Sequence, residues 1–265
     1  MQKTGCTHIA SLLSSLFDGE QIGKHNAATS SQIESNRYFI SSIRNPWDWY
    51  LSLWTFGVQG KGGLMHRLTR KRYLRSLGSA IRNPKRNCFS VFYELSKDVT
   101  LWRNVYDRSD NVELFRLWLK LIHNRNNSYF LGEGYGNTAI INLCGFMTYR
   151  YLYLCCRNVG ELDDAEFISS YKDLQQFENN NCYIDFFIRQ ESLEDDLCEA
   201  IEKLRPLTQE NRKLIYGAKK INTSKRILSI SEYYDDESIE LIRNRDRLLI
   251  ERFDYSPPQI AERSF

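Results

Sequence analysis

Arg37-Tyr38-Phe39-Ile40-Ser41-Ser42-Ile43 runs directly into Arg44-Asn45-Pro46-Trp47-Asp48-Trp49-Tyr50-Leu51-Ser52-Leu53-Trp54. The stretch Tyr38 to Ile43 is short and rich in aromatic and β-branched residues, the composition of a buried strand. Asn45 then offers a side-chain oxygen to cap a helix, and Pro46 suits the first helical position, where a missing N–H costs nothing. A strand followed at once by a helix is the unit of α/β domains. Arg44 falls at the strand's carboxyl end beside the open N–H groups of a helix start, which is a ready anion site, above all for a phosphate. Ser52 follows eight residues after Arg44 on the same helix.

The opening of the chain carries a second phosphate signal. Ile9, Leu12, Leu13, Leu16 and Phe17 have helical spacing, so Lys3-Thr4-Gly5-Cys6-Thr7 reads as a loop running into a helix N-terminus. Gly5 permits close backbone approach, Thr4 and Thr7 offer hydroxyls, and Lys3 supplies charge. The loop lacks the G-x-x-x-x-G-K-[ST] pattern, which weakens an ATPase or GTPase reading.

Together these segments resemble the sulfotransferases that use 3′-phosphoadenosine 5′-phosphosulfate (PAPS), in particular the carbohydrate-type members. Lys3-Thr4-Gly5-Cys6-Thr7 matches the family's Lys-Thr-Gly-x-Thr loop for the 5′-phosphosulfate. Arg44 and Ser52 have the spacing of its 3′-phosphate motif. Ile184-Asp185-Phe186-Phe187-Ile188-Arg189-Gln190-Glu191-Ser192-Leu193 is similar to its later strand-Arg-x-Glu-x-Leu stretch, and Asn222-Thr223-Ser224-Lys225-Arg226 to its late basic loop. The resemblance implies an α/β fold of three layers, α/β/α, around a central parallel sheet, with a phosphate loop at the sheet's carboxyl edge. It implies PAPS as co-substrate, no catalytic metal, and a hydroxylated acceptor, a glycan by preference. Only Met1 and Gln2 precede Lys3, so the expectation is either a fragment or mis-started chain or a sheet that lacks its first strand, with the loop then tethered on one side only.

Composition bounds the alternatives. At 265 residues, with 42% hydrophobic and 13% aromatic content, the chain can bury a sizeable core in a single domain over 1–265. A net charge of +3 suits an anionic cofactor and does not imply nucleic-acid binding. No stretch approaches a membrane span, and no secretory leader is evident. The seven cysteines show neither C-x-x-C nor zinc spacing, which favours reduced thiols and a cytosolic setting, with a Golgi-type anchor left open if the N-terminus is cut short. Cys6 stands apart, since a thiol at a helix N-terminus can have a lowered pKa; a small residue filling the loop's variable position is the plainer reading.

Residues 1–56 form the cofactor-binding half, 57–180 a mainly helical acceptor side, and 181–265 a late strand, a basic loop and closing helices. In the middle part Arg67, Arg70, Lys71, Arg72, Arg75, Arg82, Lys85 and Arg86 form a basic run over an amphipathic pattern of Leu64, Leu68, Leu74 and Leu77. It is either a solvated face or a surface for an anionic acceptor. Val112 to Ile122 reads as a buried helix. Tyr149, Tyr151 and Tyr153 either pack in the core or line a groove for a sugar ring. Tyr183 to Ile188 reads as the late strand, Leu193 to Leu204 as the helix after it, and Ile239 to Phe253 as the terminal helix.

Sulfuryl transfer asks a protein to hold donor and acceptor in line, neutralise charge on the leaving phosphate and take the acceptor's proton. The resemblance gives Lys3 the leaving 5′-phosphate, with Thr4, Gly5, Cys6 and Thr7 on the same group, and gives Arg44 and Ser52 the 3′-phosphate. His25 lies between the two motifs and is the candidate base, against a structural loop histidine. Glu191 is the next candidate. Arg189 is either a cofactor ligand or half of an Arg-carboxylate pair, and Lys225 and Arg226 either close over the 3′-phosphate or stay solvated. His8 directly follows the loop and is read as packing or binding phosphate, while His66 and His123 are read as surface residues. The rivals are a relative that binds nucleotide or glycan without turnover, and a phosphate-loop kinase. A kinase needs a lysine after the second loop glycine and a magnesium-binding acid, neither of which is evident.

Overall fold

In the computed structural model, which describes residues 1–17, 25–35, 37–82, 90–218 and 227–260, the opening loop runs into helix α1 (Cys6–Phe17). A short helix α2 (Ser30–Glu34) precedes strand β1 (Ile40–Ile43), and β1 turns at once into helix α3 (Pro46–Val58). The junction forms as its residues dictate: Asn45 Oδ1 accepts from Trp47 N at 3.1 Å, Pro46 stands at the first helical position, and Asp48 lies in the first turn, where the helix dipole favours an anion.

Trp47, Trp49, Tyr50, Leu51, Leu53 and Trp54 are all buried. A helix that is apolar on every side belongs at the centre of a core, and α3 takes that place. Trp54 packs on Phe115 of the helix Val112–His123, Trp49 on Phe146 of the helix Phe146–Cys155, and Trp47 Nε1 donates to Ile239 O of the helix Asp236–Arg245.

Strand β2 (Phe186–Arg189) pairs parallel with β1, placing Ile40 opposite Phe186 and Ile43 opposite Arg189. Alternate side chains enter different clusters, as the pleat requires. Ile40, Phe186 and Ile188 join Ile9, Leu12 and Leu197 under α1, while Ile43 and Phe187 join the larger cluster around α3. Asp185 Oδ2 accepts from Phe39 N at 2.6 Å and Asp185 N donates to Phe39 O, so regular pairing starts only after these residues.

Helices combined with a parallel strand pair are therefore present, but the expected central sheet is not: among the described residues the sheet has two strands. Two four-residue strands offer too little surface to organise a domain, and the indole-rich α3 does so instead. Other expectations also shift. Leu64 and Leu68 are buried in helix α4 (Gly63–Leu68), but Leu74 and Leu77 in helix α5 (Tyr73–Arg82) are exposed, so the basic run overlies core only in its first part. The terminal helix is broken at Asp246 into Asp236–Arg245 and Arg247–Phe253. The His123 side chain is 2% exposed, not a surface group, and its Nδ1 lies 2.8 Å from Leu119 O. Among the described residues no helix is long and apolar enough to cross a membrane.

Candidate functional site

The loop Met1 to Gly5 is pinned from several sides. Thr4 is fully buried, and its hydroxyl donates to Met1 O at 2.7 Å. Its only hydrogen is thus used, so the 2.6 Å contact between Thr4 Oγ1 and Ser42 Oγ of β1 has Ser42 as donor. Trp49 Nε1 of α3 donates to Gln2 O at 2.7 Å. Gly5 has φ +79°, and a Cβ there would lie 2.6 Å from Leu193 Cδ1, so only glycine meets both demands without displacement. His8 N and Ile9 N then donate to Gly5 O, which begins α1. Lys3 is also left-handed, at φ 64°, a conformation that a side chain with a Cβ adopts at a cost.

The two motifs meet directly. Arg44 Nη1 donates to Lys3 O at 3.1 Å, and Arg44 Nη2 lies 3.6 Å from Asp48 Oδ1. Lys3 Nζ stands 4.1 Å above the Phe56 ring of α3. Trp49, Ser52, Leu53 and Phe56 share one face of α3 by helical spacing, so Ser52 lies on the side that carries the loop. It is fully buried there, rather than open to a ligand.

The carboxyl ends of β1 and β2 bring three helix starts together. α1 begins after Gly5, α3 begins after Asn45, and the helix Leu193–Glu202 begins against Gly5. Helix N-termini carry unsatisfied N–H groups and positive potential, so their convergence favours an anion. Glu191 Oε1 accepts from Asn45 N at 2.7 Å. Burial pushes the Glu191 carboxyl above its ordinary value, against the lowering by the Asn45 N–H and by Arg44.

Arg189 stands apart from this group. Its Nε lies 3.0 Å from Asp196 Oδ2 and its Nη2 3.2 Å from Asp196 Oδ1, while Ser192 Oγ donates to the same carboxylate. This is the Arg-carboxylate pair. Against burial, the Arg189 guanidinium, the Arg189 N–H and the Ser192 hydroxyl hold the Asp196 carboxyl low. The pair faces solvent on the Arg189 side, 51% exposed.

His25, at φ 58°, places Nδ1 4.0 Å from Cys6 Sγ. It lines a cavity of about 370 Å³ together with Gln2, Arg67, Glu133, Arg150 and Tyr153, next to the loop. Arg150 is 6% exposed; its Nη1 donates to Gln2 Oε1 at 2.9 Å, and its Nε is 3.1 Å from Glu133 Oε2. Tyr149 and Tyr151 are core residues, whereas Tyr153 is exposed at the cavity. The structure thus gathers Lys3, Thr4, Gly5, Cys6, Thr7, Arg44 and His25 around one region. It buries Ser52 beneath the loop and commits Arg189 to Asp196. Lys225 and Arg226 lie outside the described residues.

Sequence reasoning missed Ser42, Asp196 and Arg150. Asp196 carries a signal, since it sits four residues after Ser192 on the helix that follows Arg189. Ser42 and Arg150 act across long separations and carry none. Among the described residues no group of three or more His, Cys, Asp or Glu side chains is clustered for a metal ion. Compared with protein-family models, curated proteins and solved structures, the chain has no match in any of the three.

Proposed function

We propose that this chain is a sulfotransferase that takes a sulfuryl group from PAPS and passes it to a hydroxyl of a carbohydrate acceptor, without a catalytic metal. The observation that carries the reading is the 3.1 Å hydrogen bond from Arg44 to the Lys3 carbonyl, which couples the two phosphate motifs at the carboxyl edge of a parallel strand pair. Lys3 and the start of α1 supply positive charge for the 5′-phosphosulfate, and Arg44 supplies it for the 3′-phosphate. His25, on the wall of the cavity that also holds Arg150 and Tyr153, takes the acceptor's proton. The residues present fit an anionic nucleotide in charge and in backbone conformation; buried Ser52 does not fit a direct phosphate contact.

The same proposal takes the two parallel strands, with helical clusters on both faces, as a reduced form of the three-layer α/β/α phosphate-loop architecture in which α3 rather than the sheet organises the core. It also assigns a cytosolic setting, resting on the dispersed cysteines. One observation favours a second reading, a relative that binds nucleotide or glycan without turnover: Ser52, expected at the 3′-phosphate, is fully buried.

Calorimetric titration tests the ligand. Adenosine 3′,5′-bisphosphate should bind more tightly than adenosine 5′-phosphate, and Arg44→Ala should reduce that preference by about 10- to 100-fold, the value of a charge-assisted hydrogen bond. Equal affinity of the unmodified protein for the two nucleotides overturns the assignment. Transfer of labelled sulfate to a panel of hydroxylated glycans then separates the enzyme from the silent binder.

A further inference from the structure

Cys156 and Cys182 face each other across an isolated antiparallel bridge. The bridge is flanked by Arg157 N donating to Asn181 O at 2.9 Å and Tyr183 N donating to Cys155 O at 3.0 Å. Those bonds lie outside the cysteine pair, which makes it the narrow, non-hydrogen-bonded kind, with a Cα separation of about 4.5 Å. That separation falls within the range of about 4.4–6.8 Å that a disulfide spans, and directly opposed residues project to the same side. The geometry points to Cys156 and Cys182 as an oxidation site, a dithiol that a hydroperoxide converts to a disulfide.

The surroundings divide the labour between the two sulfurs. The neighbouring Cys156 sulfur and the Ile184 N–H bring the Cys182 thiol down to about 7 against burial, and Arg252 Nη2 lies 3.8 Å from its sulfur. Tyr151 and Arg252 also bind Glu178, which opposes the thiolate but is itself neutralised by the Arg252 guanidinium. Cys156 is 3% exposed, and the neighbouring Cys182 sulfur together with burial pushes its thiol up. Cys182, the less buried of the two and the one with the Arg252 guanidinium at its sulfur, is thus the attacking thiolate, and Cys156 the resolving thiol. Cys155, its sequence neighbour, turns away, with Sγ 3.5 Å from Ser41 Oγ of β1.

The chemistry balances with hydroperoxide as oxidant. Cys182 thiolate attacks one peroxide oxygen, the O–O bond breaks, and hydroxide leaves and is protonated to water, giving a sulfenic acid. Cys156 sulfur then attacks the Cys182 sulfur; the S–O bond breaks, and the departing hydroxide takes the Cys156 proton as a second water. Two electrons pass from the sulfur pair to the peroxide. The new bond fastens the end of the helix Phe146–Cys155 to the segment that leads into β2.

The test uses the full chain. Native protein is exposed to a modest excess of hydrogen peroxide, alkylated and mapped by mass spectrometry without reduction. The expected product is a peptide linked through Cys156 and Cys182, lacking two hydrogens and released by reductant, with the thiol count falling by two. In Cys156→Ser, Cys182 should instead be trapped as a dimedone adduct, and Cys155→Ser should form the link as the unmodified protein does. A link through Cys155, or Cys182 oxidised to sulfinic acid in the unmodified protein while Cys156 stays a thiol, overturns the proposal. So does an unchanged count of both thiols under peroxide.

Discussion

Asp246 is the residue whose loss should tell most about how this core is held. Its carboxylate is fully buried, where an isolated charge is not tolerated. Oδ2 accepts from the Tyr50 hydroxyl at 2.8 Å, and Oδ1 accepts from Thr148 N at 2.9 Å and Thr148 Oγ1 at 2.7 Å. Asp246→Asn keeps the shape but halves the acceptors, since the new NH₂ can only donate. With its oxygen toward Thr148, the amide nitrogen faces Tyr50, whose hydroxyl hydrogen then has no acceptor; flipped, it faces two Thr148 donors. At least one buried donor is orphaned either way, at a cost of about 1–3 kcal/mol. Tyr50→Phe alone removes the hydroxyl that accepts from Met147 N at 3.2 Å, and should also destabilise. The double variant removes the donor conflict, so its loss should fall short of the sum by about 1 kcal/mol. Urea unfolding with an unchanged slope is the assay. Additive losses, or an Asp246→Asn penalty below about 0.5 kcal/mol, the range of ordinary surface changes, would refute the network.

Three further outcomes are expected. Gly5→Ala forces a Cβ into a left-handed position against Leu193, which should cost about 1–3 kcal/mol in urea unfolding and weaken nucleotide binding together; a neutral change would mean the loop conformation is not as described. Glu191 has a folded-state pKa raised by burial, so its contribution to stability is fully present below the ordinary carboxylate pKa of about 4.3 and is lost as pH rises through the raised value. Glu191→Gln should therefore flatten that part of the pH profile of the urea midpoint, and an unaltered profile counts against the assignment. Lys3→Ala should impair donor binding and transfer together, whereas His25→Ala should spare nucleotide affinity and lower kcat by about 10²–10⁴. Wild-type turnover in His25→Ala would move the search for the base to Glu191.

Local chemistry was legible in the sequence, and tertiary placement was not. The start of α3 could be read because Asn45 and Pro46 act on neighbouring backbone. Both strands were legible from their composition; a parallel sheet was what the resemblance implied, and the pairing of these two strands with each other is seen only in the structure. The extent of the sheet did not, because nothing in a short strand says whether further partners flank it. Ser52 shows the same limit: its spacing from Arg44 fixes how far along α3 it lies, but not that the loop covers that side. His123 was misjudged from polar neighbours, although it stands four residues after Leu119, on the edge of the buried stripe Phe115, Trp118, Leu119 and Ile122. The Asp246 network could not be foreseen, since Tyr50 and Asp246 are separated by 196 positions.

The loop's anchorage follows a different logic from the one its motif suggests. In a phosphate-loop fold, a strand running into the loop fixes it at the sheet edge, and on that logic Lys3 to Thr7 would be held from one side only. Here the loop is held by four side contacts, from three elements and the junction between two of them: Trp49 of α3 on Gln2 O, Ser42 of β1 on Thr4, Arg44 on Lys3 O, and Leu193 against Gly5. Two of these come from the helix at the centre of the hydrophobic core and from the residue just before its cap, so the order of that core is transmitted directly to the loop. The left-handed Lys3 backbone is sustained by the same contacts, because its carbonyl is turned to meet Arg44. A core change that shifts α3 by a fraction of an ångström therefore displaces the loop with it, and positioning errors of about 1 Å suffice to cost a reaction on the order of a hundredfold. On the proposed function, nucleotide binding and transfer should thus follow the packing of Trp47, Trp49 and Trp54 as closely as they follow the charged residues themselves.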